Sequence, residues 1–323
     1  YYKFNRLHLH LTDDQGWRIE IKSWPDLTTI GGSTSVGGGA GGYYSQKEFK
    51  EIVDYAHNRN IIIVPEIDLP GHTNAALASY PELNCGGQPP DLYTGMEVGF
   101  SSLYIDKDIT YEFITNVMDE LAAITTGPYI HVGGDEVREV SPDDYQKFIS
   151  KVQNIVRKAG KQMLGWQEIL YCKDLRTDTI VQYWNPLLVD FVFPPGIKII
   201  VSPGNRVYLD MKYGADCPLG LVWAGYVSVK DAYDWDPTSE LQGFLEEDIL
   251  GVEAPLWSET LETIEDIEFM AFPRLPGVAE IGWSKQSGRS WDEYKERLAK
   301  HAGRWDLMDA NYFKSPLVPW SID

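Results

Sequence analysis

Short runs of β-branched and aromatic residues alternate along this chain with longer amphipathic stretches, and this alternation is the strongest constraint on its fold. Seven such runs stand out, at residues 5–11, 60–67, 128–134, 161–166, 179–184, 198–202 and 251–257. Strands that alternate with helices form parallel sheets, which are either doubly wound or closed into a barrel. The sequence therefore predicts an α/β fold with a parallel sheet.

Helix signals occur between and after these runs. Ser45 and Glu48 have the spacing of a capping box, and Pro142 follows Ser141 as a proline at the first helical position does. Apolar residues then recur at helical spacing, as Phe49, Ile52, Val53 and Ala56 in one stretch and as Phe148, Ile149, Val152, Ile155 and Val156 in the other. Ser290 with Glu293 predicts a further capping box near the end of the chain.

Functional-looking side chains follow nearly every predicted strand. They are Asp13, Asp14, Glu66, Asp68, Asp135, Glu136, Trp166, Trp184, Trp257 and Glu259. A barrel builds its active site at the carboxyl ends of all its strands, whereas a doubly wound sheet uses one switch point. We therefore predict a (β/α)8 TIM-type barrel. Seven strands are visible, one fewer than this barrel needs.

Charge and composition restrict the partners. The formal net charge of −20 argues against nucleic acid and anionic membranes, and it is compatible with an enzyme that acts on a neutral or cationic substrate. The chain has 11 Trp and 19 Tyr, whose flat faces pack well against sugar rings but also fill ordinary cores. Composition alone leaves both interpretations open.

The run "RLHLHL" places His8 and His10 on one face of a strand and its leucines on the other. We expect the leucines to pack under the helices. Such a histidine pair can bind a metal in barrel hydrolases, but it needs further ligands. His72 and His131 are the only well-placed candidates, and we favour structural or supporting roles for these histidines over a metal site.

The stretch "HVGGDE" ends a buried run with two glycines and two adjacent acids, Asp135 and Glu136. Carboxyls that cleave a glycosidic bond normally flank it, about 5–5.5 Å apart for retention and about 6.5–9.5 Å apart for inversion. Neighbours at one strand end cannot easily straddle a sugar. A 2-acetamido group of the substrate could instead supply the nucleophile, while one acid protonates the leaving oxygen and the other holds the acetamido N–H.

Several motifs together carry a resemblance to a known family: "NRLHLHLTDDQGWR", "PEIDLPGHTNAA", "HVGGDE", "GWQE", "QYW", "YLDMKY", "EAPLWSE" and "FPRLPGVAEIGWS". In these motifs the chain resembles the catalytic barrel of the family 20 glycoside hydrolases, the β-N-acetylhexosaminidases, and especially the bacterial, Streptomyces-type enzymes. The similarity runs from Phe4 to Trp320. The set of motifs is highly specific, whereas any one of them alone is weak.

The resemblance implies roles for the acids. Glu136 would be the general acid and base. Asp135 would orient the acetamido group and stabilise the oxazolinium intermediate, helped by Tyr208 at the carbonyl. Asp13 and His72 would form a relay that supports Glu136.

The resemblance also implies the sugar contacts. Trp166, Trp184 and Trp257 would wall the acetamido pocket and the ring face, and Asp210 and Glu259 would hydrogen-bond the outer hydroxyls. No metal and no organic cofactor is implied. The one partner implied is a carbohydrate with a terminal N-acetylhexosamine, with neither nucleic acid nor membrane as a further partner, and the family is typically secreted.

The expected activity is that of a retaining exo-β-N-acetylhexosaminidase, which removes terminal β-linked GlcNAc or GalNAc from chitooligosaccharides or glycans by substrate-assisted catalysis. One alternative is a metal-dependent barrel hydrolase that uses His8 and His10. The other is an inactive sugar-binding module, against which the intact acid pair argues. The natural glycan and the oligomeric state stay open.

The chain departs from the family pattern at its start. The family carries a sugar-binding Arg on the first barrel strand and an α/β domain before it, and neither is found here. Residues 1–4 resemble the end of the first barrel helix. We therefore expect residues 1–323 to be one catalytic barrel domain whose first strand lies upstream, and expect these residues alone to be unstable or weakly active.

Overall fold

The structure is a computed structural model that describes residues 1–188, 191, 193–240 and 244–320. The described residues form two compact units. The first contains residues 4–181 and 191–197, and the second contains the rest.

The bounds of the elements are as follows. The strands of the first unit are β1 (Arg6–His10), β2 (Thr12–Asp13), β3 (Gly16–Trp17), β4 (Ile62–Glu66), β5 (Tyr129–His131) and β6 (Gln162–Trp166). Its α-helices are α1 (Asp26–Thr29), α2 (Gln46–His57), α3 (Asn74–Ser79), α4 (Asp108–Ile124) and α5 (Pro142–Lys158). Strand β7 (Ile180–Tyr183) begins in the first unit and ends in the second. The second unit continues with α6 (Gly204–Val207), α7 (Pro237–Glu240), α8 (Ile264–Ala271), α9 (Leu275–Trp283), α10 (Trp291–Ala299) and α11 (Ala302–Leu307), and with strands β8 (Lys198–Val201) and β9 (Ile249–Val252).

The seven predicted strands are confirmed as β1 and β4 to β9. In the first unit, β1, β4, β5 and β6 lie side by side in chain order, and their pairings are parallel. His10 pairs with Glu66, and Glu66 pairs with His131. Because side chains at paired positions point to the same face of a sheet, this register places polar residues in a row at the carboxyl ends of the strands.

Two predicted helix starts are confirmed. Helix α2 follows Ser45, whose side chain and Glu48 form the predicted capping box. Helix α5 begins at Pro142, with the Ser141 side chain accepting from the backbone of Asp144. The predicted apolar stripes face the core, and their fully buried members include Phe49, Phe148, Ile149 and Val152.

The capping box predicted at Ser290 is wrong. Ser290 is the N-cap of α10, but its side chain makes no capping hydrogen bond. Its ψ is 127°, whereas ψ is 157° at Ser45, 150° at Ser141 and 164° at Thr263, which do cap helices. The backbone at Ser290 therefore differs from that at the three residues whose side chains do cap a helix.

The expectation for the leucines of β1 holds only in part. Leu11 is buried, but 46% of Leu7 is exposed. In the first unit β1 stands at the end of the strand order and pairs with β4 alone. The outer end of an edge strand has fewer neighbours to cover it, which accounts for the exposure of Leu7.

The second unit has its own core. Strands β8 and β9 pair in parallel, with a register shift between Ile199 and Ile200. The aromatic rings of Tyr233 and Tyr294 stack 3.9 Å apart, and Trp305 is buried in the same core. Within the part of the chain that the structure describes, no helix has the length and apolar character needed to cross a membrane.

Candidate active site

The acid pair, Asp135 and Glu136, is set in place by the two glycines before it. Gly133 and Gly134 have φ values of 64° and 101°, a region that side chains other than glycine rarely adopt. A Cβ on Gly133 would overlap the carboxyl of Asp68, and the Gly134 amide donates to that carboxyl at 3.1 Å. The glycines therefore allow the chain to turn directly over Asp68 and to present both acids at the end of β5.

Two residues of this region have a strained backbone. Glu136 and His72 have φ values of 52° and 54°, in the left-handed region. This conformation costs a side-chain-bearing residue roughly 1–3 kcal/mol, and such strain concentrates at functional sites.

His72 joins the acid pair to Asp13. Its Nε2 lies 3.4 Å from Glu136 Oε2 and 3.6 Å from Asp135 Oδ2. Its Nδ1 lies 3.0 Å from Asp13 Oδ1, so that this nitrogen donates to the carboxylate. The structure thus brings together the four residues for which the sequence predicts catalytic roles.

The charges of this group shift its pKa values. Burial raises the pKa of Asp135 to about 6. The charge of Glu136 adds to this increase, and the charge of His72 opposes it. Burial also raises the pKa of Asp68 well above its usual range, helped by the charge of Asp135. For His72, burial disfavours the charged form, but the carboxylates of Asp68 and Asp135 outweigh it and raise the pKa well above 6.5.

A second set of contacts lies next to Asp13. His10 Nε2 is 2.9 Å from Asp13 Oδ2, and His10 Nδ1 is 2.7 Å from Glu66 Oε2. Glu66 is fully buried, and its Oε1 accepts from the indole N–H of Trp166 at 2.8 Å. The sequence placed Glu66 at a strand end and left His10 a supporting or metal-binding role, but it did not predict that both connect to Asp13.

The alternative prediction was a metal site that uses both His8 and His10. Among the described residues, four sets of three donors have ligand atoms within 4.8 Å of one another: His8, Glu66 and His131; His10, Glu66 and Asp68; Asp13, Asp14 and His72; and Asp68, His72 and Asp135. None of these sets contains both His8 and His10. The two histidines lie on one face of β1, two residues apart, and each approaches Glu66.

Four aromatic side chains form a group in the second unit: Trp184, Tyr208, Trp223 and Trp257. Tyr208 stacks on Trp184 with ring centroids 6.3 Å apart, and its ring lies 6.4 Å from that of Trp257. Trp223 packs edge-on against Tyr208 at 5.4 Å and Trp184 at 5.7 Å, with about half of its surface exposed. Sequence reasoning missed Trp223, because a single Trp in an irregular segment gives no periodic signal.

Asp210 and Glu259 lie in the same unit and interact. Asp210 is almost fully buried, and burial raises the pKa of its carboxyl to about 7, with the charge of Glu259 adding to the increase. A carboxyl near its titration point in a dry environment is a strong hydrogen-bond partner for neutral hydroxyl groups.

A buried arginine holds the segment that carries Tyr208 and Asp210. Arg274 is fully buried, and its guanidinium donates to the carbonyl of Met211 at 2.7 Å and to that of Leu209. It also lies over the ring of Tyr213 at 3.8 Å. Sequence reasoning missed Arg274, since nothing in "FPRLPG" distinguishes it from a surface arginine.

The structure therefore collects the ten predicted residues in two groups, one in each unit. The first unit contains Asp13, His72, Asp135, Glu136 and Trp166, and the second contains Trp184, Tyr208, Asp210, Trp257 and Glu259. Parallel β/α units, with paired acids after one strand and with aromatic side chains and further acids after others, place the chain in the class of α/β-barrel proteins that carry their active site at the carboxyl ends of the strands.

Comparison with known proteins gives the particular family. The chain belongs to glycosyl hydrolase family 20, whose catalytic domain matches residues 1–141 and 141–286. A β-N-acetylhexosaminidase of Cellulomonas fimi is 46% identical over 99% of this chain and 65% of its own length. A β-hexosaminidase of Porphyromonas gingivalis is 33% identical over 96% of this chain and 43% of its own length.

Solved structures of family members have the same fold as this chain. The GH20 β-N-acetylhexosaminidase of Streptomyces coelicolor superimposes with a TM-score of 0.95 at 52% identity, over 99% of this chain and 66% of that one. A mutant Streptomyces plicatus β-hexosaminidase in complex with its product GlcNAc gives 0.94 at 53% identity, over the same shares. The predicted TIM-type fold is confirmed. The chain spans just under two thirds of the length of the Cellulomonas and Streptomyces relatives and less than half of that of the Porphyromonas gingivalis relative.

Proposed function

We propose that the protein is a retaining exo-β-N-acetylhexosaminidase that uses the 2-acetamido group of its substrate as the nucleophile. Family membership, the names of the relatives and the GlcNAc bound to the Streptomyces plicatus enzyme support this proposal. Its substrates would be chitooligosaccharides or glycans that end in β-linked GlcNAc or GalNAc, met outside the cell.

The observation that carries the proposal is that Asp135 and Glu136 are chain neighbours and approach one imidazole nitrogen, that of His72, within 3.6 Å. In this proposal they act from one side of the reacting bond rather than flanking it. The nearby acids Asp14 and Glu66 are buried and already bonded, to Ser101 and to His10 respectively. We therefore propose that the substrate, rather than one of these acids, supplies the nucleophile.

The reaction would proceed in two steps. In the first, the acetamido oxygen forms a bond to C1 while the bond from C1 to the leaving oxygen breaks, and Glu136 gives its proton to that oxygen. Asp135 as carboxylate accepts the acetamido N–H and offsets the positive charge of the oxazolinium ring. In the second, Glu136 takes a proton from water, which adds to C1 and reopens the ring with net retention.

The aromatic group of the second unit would supply the flat apolar surfaces. The rings of Trp184 and Trp257 lie 6.3 and 6.4 Å from that of Tyr208, whose hydroxyl would donate to the acetamido carbonyl in this proposal. Pyranose rings pack their C–H faces on such surfaces, and the burial excludes water from the reacting centre. Asp210 and Glu259 would bind hydroxyl groups of the sugar.

A pair of aryl glycosides tests the proposal. The protein should release the aryl group from the β-N-acetylglucosaminide and leave the matched β-glucoside essentially uncleaved, because the glucoside lacks the internal nucleophile. The measurement is kcat/KM for both at equal leaving-group pKa. Equal turnover would contradict substrate assistance, and turnover of neither, with retained GlcNAc binding, would favour the inactive sugar-binding module.

A further inference from the structure

The contacts beneath the acid pair continue past the Asp13–His72 relay to a second histidine and a buried glutamate. The two oxygens of Asp13 are divided between two rings, with His72 Nδ1 at 3.0 Å from Oδ1 and His10 Nε2 at 2.9 Å from Oδ2. The other nitrogen of His10 lies 2.7 Å from Glu66 Oε2. Carboxylate and imidazole therefore alternate from Glu66 to the acid pair.

Hydrogen-bond chemistry fixes the charge of His10. A carboxylate oxygen only accepts, so an imidazole between two carboxylates donates from both nitrogens and carries a positive charge. Burial disfavours that charge, but Glu66 and Asp13 outweigh it and raise the pKa of His10 well above 6.5. Glu66 stays ionised in turn, since burial alone would raise its pKa but the surrounding histidines hold the pKa well below its usual range.

The sequence position of these groups makes the arrangement rigid. Glu66 and His10 occupy paired positions of β4 and β1, so the sheet itself sets their spacing. The Trp166 indole, from the end of β6, holds the second oxygen of Glu66. Asp13 lies on β2, three residues beyond His10, where it pairs with Gly16 of β3, and its Oδ1 also accepts from the Asp14 backbone amide at 2.6 Å.

We propose that His10, backed by Glu66, is a positioning residue for the reaction: it holds one oxygen of Asp13, so that the other orients the His72 ring toward Asp135 and Glu136. The inference rests on the proposed function, in which that acid pair performs the chemistry. His10 acts through Asp13 and His72 and does not touch the sugar.

The charged and titratable groups around this chain of contacts come from every strand end nearby. They are Asp13, Asp14 and Arg18 after β1, Glu66 and Asp68 at the end of β4, Asp135 and Glu136 after β5, and His8 and His131 beside Glu66. Loss of the positive charge on His10 leaves His72 facing the same carboxylates with one cation fewer.

The experiment is a ¹⁵N NMR titration of the six histidine rings, combined with steady-state kinetics. In the unaltered protein, His10 should show both ring N–H groups at pH 7. In His10→Gln, whose amide can still donate to Asp13, the His72 titration midpoint should rise by about one pH unit because a neighbouring cation is gone. His57→Gln, at an exposed histidine in the last turn of α2, is the matched control and should leave His72 unchanged.

The kinetics separate positioning from a merely structural role. His10→Phe, which cannot donate, should lower kcat roughly 10- to 100-fold with KM within about twofold, and His10→Gln should recover part of that loss. A neutral His10 in the unaltered protein, or an unmoved His72 midpoint in folded His10→Gln, would overturn the proposal. If both variants fail to fold, the protonation of His10 in the unaltered protein still decides it. The ¹⁵N signals of the histidine rings can be measured without turnover. A failure of the proposed hydrolase activity would instead be detected in the aryl glycoside assay, so the two failures are distinguishable.

Discussion

At the scale of single residues, the central feature is the division of labour between Asp135 and Glu136. Their adjacency was visible in the sequence, and the structure adds that both approach His72 and that Glu136 adopts a left-handed backbone. The contacts of His10 and Glu66 were not predictable, because 56 residues separate them and only the sheet register brings them together. Arg274 and Trp223 were missed for other reasons, since neither lies in a segment whose sequence pattern distinguishes it from a surface residue.

The two acids should respond differently to the leaving group. Glu136→Gln should lower kcat by roughly 10²–10⁴ for poor leaving groups, and by much less for an aryl group that departs without a proton. Asp135→Asn should slow both kinds of substrate, because orientation of the internal nucleophile is lost in either case. The measurement is kcat for aryl glycosides of graded leaving-group pKa. Parallel slopes for the two variants would refute this division of roles.

Asp210 gives a prediction for pH. Burial raises its folded-state pKa to about 7, so the folded protein binds this proton more tightly than the unfolded chain does. The stability contribution of this group is therefore full at low pH and is lost as the pH rises from about 4 through 7. Asp210→Asn should be more stable than the unaltered protein at pH 8, by on the order of a few kcal/mol, with the difference narrowing toward pH 4.

Melting temperatures at pH 8 and at the lowest pH at which both proteins stay folded would check this. The same variant should bind N-acetylhexosamine products more weakly, because the amide cannot replace a carboxylate toward the sugar hydroxyls. A variant less stable than the unaltered protein at pH 8 would mean that Asp210 is paired in the folded state and that burial does not dominate its energetics.

At the scale of elements, sequence patterns predicted the strands and the starts of helices α2 and α5. The predictions that differ from the structure concern where a strand ends and how a helix is capped. The seven strands were predicted, but β9 ends at Val252, before the "EAPLW" residues that the prediction had included. Capping at Ser45 and Ser141 was predicted correctly, whereas Ser290 fails through its backbone angle. A residue pattern specifies which groups are available for a cap but not the dihedral that aims them.

The turn after β5 allows a test with a matched control. Gly133 and Gly160 both have positive φ, 64° and 80°, but a Cβ would meet Asp68 at Gly133 and nothing within 4 Å at Gly160. Gly160→Ala should cost about 1 kcal/mol from the backbone conformation alone. Gly133→Ala should cost clearly more in chemical denaturation, and it should lower kcat because the acid pair shifts. Equal losses of stability would show that Asp68 does not constrain the turn.

At the scale of the whole molecule, family membership and fold class were both accessible from the sequence. Eight motifs between Asn5 and Ser284 indicated the family, and the match to solved structures at TM-scores of 0.94–0.95 agrees. The division into two compact units was not predictable, since no linker or change of composition marks it.

The most direct test of the central claim is a series of aryl β-glucosaminides whose N-acetyl group carries zero, one, two or three fluorine atoms. Fluorine withdraws electrons from the carbonyl oxygen and weakens it as a nucleophile, while the leaving group and the sugar ring stay the same. If the substrate provides the nucleophile, kcat/KM must fall steeply with each fluorine, even for a leaving group that needs no proton. A rate that is independent of fluorine content would mean that a protein group attacks C1, and the roles assigned to Asp135 and to the acetamido group would then be wrong.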